Sequence, residues 1–387
     1  MVRSGKTVTR AELAERSGLT PTSITRIVKA LLEEGLVVEV GFLNSTGGKR
    51  SSLLELNTTG RFAVGVSLDA GRLTYVVTDL AGTVVGRLVS PGIEQDAPGD
   101  DVARIARELG QLLVHLDIPL ESVLGVGVAG AGLDLGAGAE RHSLTATEWE
   151  SFALTEALEP RIGLPVVRDN DAACAALGQY WAGRVSSTQD FATLYMSNGF
   201  GLGLMVGGSI ARGASSNVGE IGHTIVDIDG PECWCGARGC LEMLAAPRAV
   251  VAAALQDPDL TERLGLAGDP QRFRVDFDVI ARTAAQGDRA CCALVDQSAR
   301  YLAASALSIV NVLDLDRIVL AGPGFAEAGA IYVREIRHQL DRYARTRGIH
   351  GVTVELADPG LDAAAGGAAS LALQHALTPH AARPSGW

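Results

Sequence analysis

The stretch that decides the fold begins with Gly219-Glu-Ile-Gly-His223 and continues with Cys233-Trp-Cys-Gly-Ala-Arg-Gly-Cys-Leu-Glu242. It holds one imidazole and three thiols in a glycine-rich chain that must turn sharply. Thiolates and imidazole are the ligands of structural zinc sites, and four of them complete a tetrahedron without a position for a catalytic water. The sequence therefore predicts a structural zinc ion, with isolated thiols as the alternative. Its ligands would be His223, Cys233, Cys235 and Cys240.

The composition bounds the class of protein. The chain has 387 residues, of which 47% are hydrophobic and 20% charged, and this excludes a largely disordered chain. No apolar stretch reaches the roughly 18 residues that a membrane-spanning helix needs, and the first residues lack the apolar core of a signal peptide. We therefore expect a cytoplasmic protein without a membrane partner. Disulfides are rare in that compartment, and Cys174, Cys291 and Cys292 lie in apolar contexts that favour the core.

From Arg61 onward, predicted strands alternate with predicted helices. The predicted strands are Phe62–Leu68, Leu73–Leu80, Val84–Val89, Val123–Val128, Val166–Arg168, Phe191–Met196, Leu202–Val206 and Ile318–Ala321. Strands separated by helices in this order favour an α/β fold over a sandwich or a helical bundle. The sequence predicts an α/β body over residues 61–377, followed by a flexible tail over residues 378–387.

Two glycine-containing turns could cradle a phosphate group, and the first of them could alternatively hold Mg²⁺. Asp69-Ala-Gly71-Arg72 follows a predicted strand directly, and Asn198-Gly-Phe-Gly-Leu-Gly203 lies between two strands. Backbone at these turns could approach an anion closely, because glycine carries no Cβ. The residues concerned are Asp69, Gly71, Gly199, Gly201 and Gly203. A tight hairpin that binds nothing is the alternative, since glycine spacing of this kind is a weak signal.

A third polar cluster, Arg168-Asp-Asn-Asp171, lies where a predicted strand ends and a helix begins. Open α/β sheets place ligand chemistry at the carboxyl ends of their strands. An aspartate at this position can accept a hydroxyl proton as a general base, or it can hydrogen-bond a polyol. Capping of the following helix is the alternative function of the same side chains.

The first 60 residues differ in charge from the rest of the chain. They contain eight Lys and Arg against six Asp and Glu, whereas the whole chain has a formal net charge of −12. A mildly basic head on an acidic body is typical of one DNA-contacting module attached to a domain that does not bind DNA.

Two short helices are predicted in this head. Thr9 caps the first, which ends at Gly18; Thr20 caps the second, with Pro21 at its first position and Gly35 after its end. Apolar residues of the second helix recur at spacings of three and four and predict one buried stripe of Ile24, Ile27, Val28, Leu31 and Leu32. The opposite face offers hydroxyls and cations that suit phosphates and base edges in a major groove. These DNA-contacting candidates are Thr22, Ser23, Thr25, Arg26 and Lys29.

Two predicted strands, Leu36–Val40 and Leu53–Leu56, flank a glycine-rich loop. They would form a β-wing whose tip, with Lys49 and Arg50, meets the DNA backbone or the minor groove. Residues 1–60 are therefore predicted to be a winged helix-turn-helix domain. A winged module normally has another helix first, and with eight residues before the first cap we expect that helix to be short or missing. An ordinary solvated helix pair is the alternative.

In this order along the chain, these features resemble the ROK family of sugar-responsive repressors and sugar kinases. The resemblance is carried most specifically by Glu220-Ile-Gly-His223 and the cysteine loop. It extends from Arg10-Ala-Glu-Leu-Ala in the head, through Gly47-Gly-Lys-Arg50, to Asp316-Arg-Ile-Val-Leu-Ala-Gly322 and the glycine- and alanine-rich helix Ala363–Ala369. It implies a winged head on a two-lobed, actin-like or ribonuclease-H-like body with a ligand cleft between the lobes. By matching motifs, it implies a catalytic base at Asp171 in kinase members. It also implies that sugar hydroxyls are bound by Asn170, Asp171, Glu220, His223 and Glu242.

Departures from the kinase pattern favour the regulator branch of this family. Kinase members have Asp-x-Gly-Gly-Thr at the first phosphate turn, where this chain has Asp69-Ala-Gly71-Arg72-Leu73. They have Gly-Thr-Gly where this chain has Ser197-Asn-Gly199. Phosphoryl transfer depends on positioning and charge neutralisation around the γ-phosphate, so a bulky Arg72 should impair ATP and Mg²⁺ binding more than sugar binding.

We therefore predict a sugar-responsive transcriptional regulator, in the first place a repressor, that binds operator DNA as a homodimer or homotetramer. An ATP-dependent sugar kinase with Asp171 as the general base is the second hypothesis. A DNA-binding protein that responds to a protein partner is the third. In each case zinc would hold the loop that presents Glu220 and Glu242.

Overall fold

The computed structural model describes residues 7–43, 51–69, 71–93, 98–130, 152–183, 190–215, 217–269, 272–358 and 362–378. Over these residues the chain forms a three-stranded sheet near its beginning and two five-stranded sheets after it. Lys49 and Arg50 of the predicted wing tip, and all of the predicted tail except Thr378, lie outside the described residues. None of the helices in these ranges has the length and apolar character that a bilayer-spanning helix requires.

The head consists of β1 (Val8–Thr9), α1 (Arg10–Ser17), α2 (Pro21–Glu33), β2 (Val37–Phe42) and β3 (Ser52–Leu56). β3 lies between β1 and β2 and pairs antiparallel with both. Thr9 caps α1 in a capping box with Glu12, and Thr20 caps α2 by accepting a hydrogen bond from the backbone N–H of Ser23. The predicted helix pair and wing strands are confirmed.

The buried stripe on α2 is narrower than predicted. Ile24 and Val28 are buried in the core of the head, which also contains Val8, Leu13 and Leu54. Ile27 is 41% exposed, so its predicted place in the stripe is wrong. Consecutive residues of an α-helix are rotated by about 100°, which turns Ile27 away from the side where Val28 is buried.

The first lobe contains β4 (Phe62–Leu68), β5 (Arg72–Asp79), β6 (Val84–Pro91), β7 (Val123–Gly130) and β8 (Val166–Asn170). These strands form a sheet in the order β6-β5-β4-β7-β8, in which β4 to β6 are antiparallel and β7 and β8 run parallel to β4. One face is covered by α3 (Pro98–His115) and α4 (Leu154–Ile162) through a shared apolar core. α5 (Asp171–Trp181) follows β8 directly.

The second lobe contains β9 (Phe191–Met196), β10 (Phe200–Val206), β11 (Ser209–Ile210), β12 (Arg317–Ala321) and β13 (Thr353–Leu356). Their order is β11-β10-β9-β12-β13, and β12 runs parallel to both β9 and β13. The helices of this lobe are α6 (Leu241–Ala245), α7 (Pro247–Ala254), α8 (Pro258–Leu264), α9 (Phe273–Ala285), α10 (Arg289–Leu313) and α11 (Gly329–Tyr343). They share a large apolar core with the sheet.

The junction between the lobes is formed by α5 and α12 (Ala363–Leu377). Small side chains of both helices pack there with residues of both sheets, among them Ala129, Tyr195 and Ala321. A Cβ on Gly65 or Gly127 would collide with a backbone carbonyl of α12, so both positions require glycine. The predicted two-lobed α/β body is confirmed, and both of its sheets are mixed.

Several strands extend further than their apolar residues predicted, β7, β8 and β10 among them. β7 continues to Gly130, β8 continues to Asn170, and β10 begins at Phe200. Glycine and asparagine have low strand propensity, so the pattern missed them. Ladder pairing decided the boundaries instead, since Gly130 pairs with Asn170 at the carboxyl ends of β7 and β8.

Candidate functional site

The site begins where β8 passes into α5. Asn170 caps α5, because its side-chain oxygen accepts a hydrogen bond from the backbone N–H of Ala172 at 2.9 Å. Asp171 is 8% exposed, and its Oδ1 accepts a hydrogen bond from the same N–H at 2.8 Å. The capping alternative therefore holds for Asn170, whereas Asp171 is a buried carboxyl group at the end of a strand.

Two further carboxylates lie close enough to affect Asp171. Burial raises the pKa of Asp171 to about 7; the N–H of Ala172 opposes this rise, and the negative charges of Asp69 and Glu220 add to it. A carboxyl group with a pKa near neutrality can accept or donate a hydrogen bond and can serve as a general base. Asp171 could therefore hydrogen-bond a hydroxyl group or accept its proton.

Glu220 and Glu242 contribute the other half of the carboxylate cluster. Glu220 precedes a short 3-10 helix (Ile221–His223), and Glu242 lies in the first turn of α6. Burial and the charge of Glu242 raise the pKa of Glu220, and burial raises the pKa of Glu242 against the opposing effect of His223. The cluster thus joins carboxylates of the first lobe, Asp69 and Asp171, to carboxylates of the second.

The glycines of the second predicted phosphate turn lie against other parts of the protein. A Cβ on Gly199 would collide with the carboxylate of Glu242, and a Cβ on Gly201 would lie 2.8 Å from the Cβ of Ala172. A Cβ on Gly203 would collide with the backbone carbonyl of Ala172. β10 therefore packs directly on α5, and this packing supports the tight-hairpin alternative.

The first predicted phosphate turn is closed by its own hydrogen bonds. The N–H of Gly71 donates to Oδ1 of Asp69 at 3.0 Å, and the N–H of Asp69 donates to the carbonyl of Arg72 at 3.2 Å. The Arg72 guanidinium lies 3.8 Å from the carboxylate of Asp362, which precedes α12 and also pairs with Arg87. The arginine that departs from the kinase pattern is thus engaged in an ion pair with the start of α12.

The four predicted metal ligands converge. Nδ1 of His223 lies 3.6 Å from Sγ of Cys233, and Sγ of Cys235 lies 3.7 Å from Sγ of Cys240. One ligand atom from each residue lies within 4.8 Å of the other three. A tetrahedral Zn²⁺ with Zn–S bonds of about 2.3 Å needs sulfur atoms roughly 3.8 Å apart, so this donor set fits the ion. Of the remaining cysteines, Cys291 and Cys174 are buried and Cys292 is half-buried.

Backbone contacts shape the loop that carries these ligands. The N–H of Cys233 donates to the carbonyl of Ala237 at 2.7 Å and turns the chain back on itself. A Cβ on Gly239, whose φ is 68°, would collide with the carbonyl of Asp227, so the loop needs glycine there. The N–H of Leu241 donates to the carbonyl of Thr224 at 2.9 Å, which holds the start of α6 beside the 3-10 helix.

The predicted DNA-contacting residues of α2 lie on its outer side. Thr22, Thr25, Arg26 and Lys29 are exposed, whereas Ser23 is half-buried. The hydroxyls of Ser23 and Thr25 contact the first turn of the helix and its cap. The exposed Lys29 lies 3.7 Å from Glu33. Arg26 and Lys29 therefore supply the positive charge of this face.

One ion pair at the site went unrecognised in the sequence. The Arg212 guanidinium donates to both carboxylate oxygens of Asp169, at 2.7 and 2.6 Å. It joins the end of β8 in the first lobe to the segment after β11 in the second. Asp169 lies in the Arg168-Asp-Asn-Asp171 cluster, but its partner Arg212 is 43 residues away, so no local pattern could identify the pair.

Known proteins share both parts of this architecture. Residues 66–375 match the ROK family, and residues 6–38 match a winged helix-turn-helix DNA-binding family. The chain is 23% identical to the xylose repressor of Caldicellulosiruptor bescii over 370 residues, which covers 92% of this chain and 89% of that protein. It is 29% identical to the glucokinase of Halalkalibacterium halodurans over 309 residues, which covers 78% of this chain and 92% of that protein.

A solved structure supports the fold. A ROK family transcriptional regulator, a homolog of the Escherichia coli MLC protein, matches with a TM-score of 0.72 and 23% identity, covering 96% of this chain and 93% of that chain. The sequence match to the ROK family spans most of the chain, and the winged-helix match falls on α1 and α2 of the head. The chain belongs to the ROK family, with a winged helix-turn-helix head before its two-lobed body.

Proposed function

We propose that this protein is a sugar-responsive transcriptional regulator, in the first place a repressor, that binds operator DNA with its head and a sugar in its body. One observation carries the proposal: a single chain joins a winged head with cations on α2 to a carboxylate cluster that surrounds the buried Asp171 and spans two lobes. Carboxylates accept hydrogen bonds from hydroxyl groups, so several of them facing one another suit a polyhydroxylated ligand. Similarity to a xylose repressor over 92% of the chain supports the same function.

The sugar would be bound by Asn170, Asp171, Glu220, His223 and Glu242. The side-chain oxygen of Asn170 already accepts hydrogen bonds from α5, so this residue would offer its amide hydrogens to the sugar. Nδ1 of His223 is the ring atom beside the Cys233 sulfur, which would leave Nε2 for a hydroxyl or for Glu242. The carboxylates would accept hydroxyl hydrogens, and Asp171 would be the most deeply placed of them.

A structural zinc ion would be held by the four residues of the cysteine loop. Thiolate and imidazole donors are the ligands that Zn²⁺ prefers, and their spacing in this loop suits tetrahedral coordination. Four protein ligands complete the shell, so the ion would supply rigidity to the loop. Its ligand His223 and the neighbouring Glu220 and Glu242 would thereby keep their positions.

A sugar kinase is the second candidate, and Asp171 is the observation that favours it. A buried carboxyl group with a pKa of about 7 suits a general base that accepts a proton from a sugar hydroxyl. The ion pair between Arg72 and Asp362 and the packed glycines of the second turn argue against an ATP phosphate site. We therefore expect ATP and Mg²⁺ to be absent from the function.

Two measurements on the full chain separate these candidates. Thermal shift with D-xylose, D-glucose and further sugars identifies a ligand, and a mobility-shift assay with DNA flanking the gene is then run with and without it. The regulator proposal expects DNA binding that changes with sugar, and an Asp171→Asn variant that still binds DNA but no longer responds. Turnover of ATP with a sugar, lost in Asp171→Asn, would favour the kinase instead. An exposed change on α11, Asp341→Asn, is the matched control.

The proposed regulator would act as a homodimer or homotetramer on a pseudo-palindromic operator. Winged and helix-turn-helix modules read half-sites in pairs, so the assembly has to present two heads at a fixed spacing. We expect the head to end near residue 60. Light scattering of the purified protein and footprinting of its operator would measure the assembly and the half-site spacing, and a monomer that protects one half-site would contradict this part of the proposal.

A further inference from the structure

A small apolar contact joins the head to the body. Leu31, Leu36 and Leu56 of the head do not belong to the core of the head but to a second cluster made with body residues. The body members of this head–body cluster are Ala63, Leu80, Leu124, Val167, Trp181, Ala369, Ala372 and Leu373. Leu36 is buried within it. Residues near the ends of α2 and β3 therefore share one apolar cluster with Trp181 at the end of α5 and with residues of the second half of α12.

The two helices beneath this contact are interlocked at their backbones. A Cβ on Gly178 of α5 would lie 2.7 Å from the carbonyl oxygen of Ala363, and a Cβ on Gly367 of α12 would collide with the carbonyl of Cys174. No side chain separates the helices at these points. Because packed protein interiors are not continuously deformable, we expect α5 and α12 to move as one unit.

Of the two helices, α5 begins at the carboxylate cluster, whereas α12 begins beside Gly178, about two turns further along α5. Asp171 is the first residue of α5, and the preceding Asp169 is held to the second lobe by two hydrogen bonds from Arg212. α12 begins after Asp362, whose carboxylate pairs with Arg72, three residues beyond Asp69. α5 extends about 16 Å along its axis and α12 about 22 Å. The α5–α12 pair thus connects the carboxylate cluster to the head–body cluster.

We propose that the α5–α12 pair transmits sugar occupancy to the DNA-binding head through the head–body cluster. This inference rests on the proposed function, since it needs a sugar at the carboxylate cluster. A ligand shifts a conformational equilibrium only by binding one state better than the other. A sugar that bridges Asp171 and Glu242 favours one arrangement of the lobes. That arrangement of the lobes determines the position of α5. The α5–α12 pair in turn determines the position of the head through the head–body cluster.

Hydrogen–deuterium exchange of the full chain tests the inference. Wild type, Leu373→Ala and the matched control Leu340→Ala are compared, because Leu373 lies in the head–body cluster and Leu340 is equally buried on α11 in the second lobe. The probes are D-xylose and D-glucose, each at the concentration that gives its full thermal shift. We expect sugar to change exchange in residues 31–43 and 51–57 of wild type and Leu340→Ala. In Leu373→Ala this head response should be lost, while protection over residues 220–242 persists.

Each outcome decides something. A head response in Leu373→Ala equal to that in Leu340→Ala would overturn the inference. If neither sugar raises the melting temperature or protects residues 220–242, the proposed function fails for these ligands. Exchange measured without ligand then tests whether the head–body cluster holds the head on the body. Leu373→Ala must in that case show faster exchange of the head than Leu340→Ala, and equal rates would overturn the inference. Should Leu373→Ala not fold, Leu36→Ala removes the same contact from the side of the head and is judged by the same criteria.

Discussion

Replacing Asp171 by asparagine should stabilise the protein at neutral pH while abolishing sugar binding. The side chain is buried, and burial raises its pKa to about 7 from an ordinary value of 3.8. The folded protein therefore binds this proton more tightly than the unfolded chain does. Below about pH 4 the group is protonated in both states and does not reduce stability. As the pH rises toward 7, its ionisation in the unfolded chain reduces the stability of the fold increasingly. Above about pH 7 the reduction stays constant.

The magnitude follows from the two pKa values. They differ by about 3 on the pH scale, and each unit corresponds to about 1.36 kcal/mol, which gives an upper bound of ~4 kcal/mol at about pH 7.5. Asparagine has nearly the same shape, and its oxygen can accept the Ala172 N–H as Asp171 does. At ~2 °C per kcal/mol, Asp171→Asn should raise the melting temperature by at most roughly 8 °C. Near pH 4.5 the gain should shrink to about 1 kcal/mol.

Differential scanning fluorimetry and urea unfolding between about pH 4.5 and 7.5 measure this difference, and calorimetric titration measures the sugar affinity of the same variant. Asp341→Asn removes one exposed carboxylate and controls for the change in net charge. Equal stability of wild type and Asp171→Asn at both ends of the pH range would refute the reasoning. A loss of stability at neutral pH would do so as well, since the buried carboxylate would then be well solvated or paired.

Three further changes test the other parts of the molecule. Cys235→Ser should remove most of the bound zinc measured by elemental analysis and lower the melting temperature, whereas Cys292→Ser should leave the metal in place; full zinc in Cys235→Ser would contradict the ligand set. Arg26→Ala should weaken operator binding by about 1–3 kcal/mol at fixed salt, and Arg289→Ala on the body should not, so equal losses would exclude α2 as the reading face. Arg212→Ala takes the guanidinium away from the mostly buried carboxylate of Asp169, which still accepts the N–H of Asn170, and should cost on the order of 1–3 kcal/mol of unfolding free energy, measured by urea titration; no loss would mean that solvent replaces the ion pair.

The turn at Arg72, which departs from the kinase pattern, would be useful to a regulator with this fold. Arg72 stands at the turn where kinase members have a small residue, and it pairs with Asp362 at the start of α12. This ion pair links the first lobe to α12, which contributes residues to the head–body cluster. The departure from the kinase pattern at Arg72 therefore has a structural consequence, the ion pair with Asp362.

Features whose partners are close in the chain could be predicted from the sequence. The capping box of Thr9 and Glu12 needs residues three apart, and the metal ligands lie in one short loop with a histidine just before it. Chain connectivity alone brings such groups together, so spacing carries the geometry. The alternation of strands and helices likewise predicted an α/β body, because each element must bury one face.

Contacts between distant parts of the chain were decided by the tertiary structure. Spacing placed Ile27 in a buried stripe, yet within the described part of the chain its side chain is 41% exposed. Nothing in the local sequence after Asn198 indicates that Gly199 lies against Glu242 and that Gly201 and Gly203 lie against α5. Arg212 meets Asp169 only once two lobes have folded and met. The energy of such contacts depends on distances that arise when separate elements pack, and residue order carries no measure of those distances.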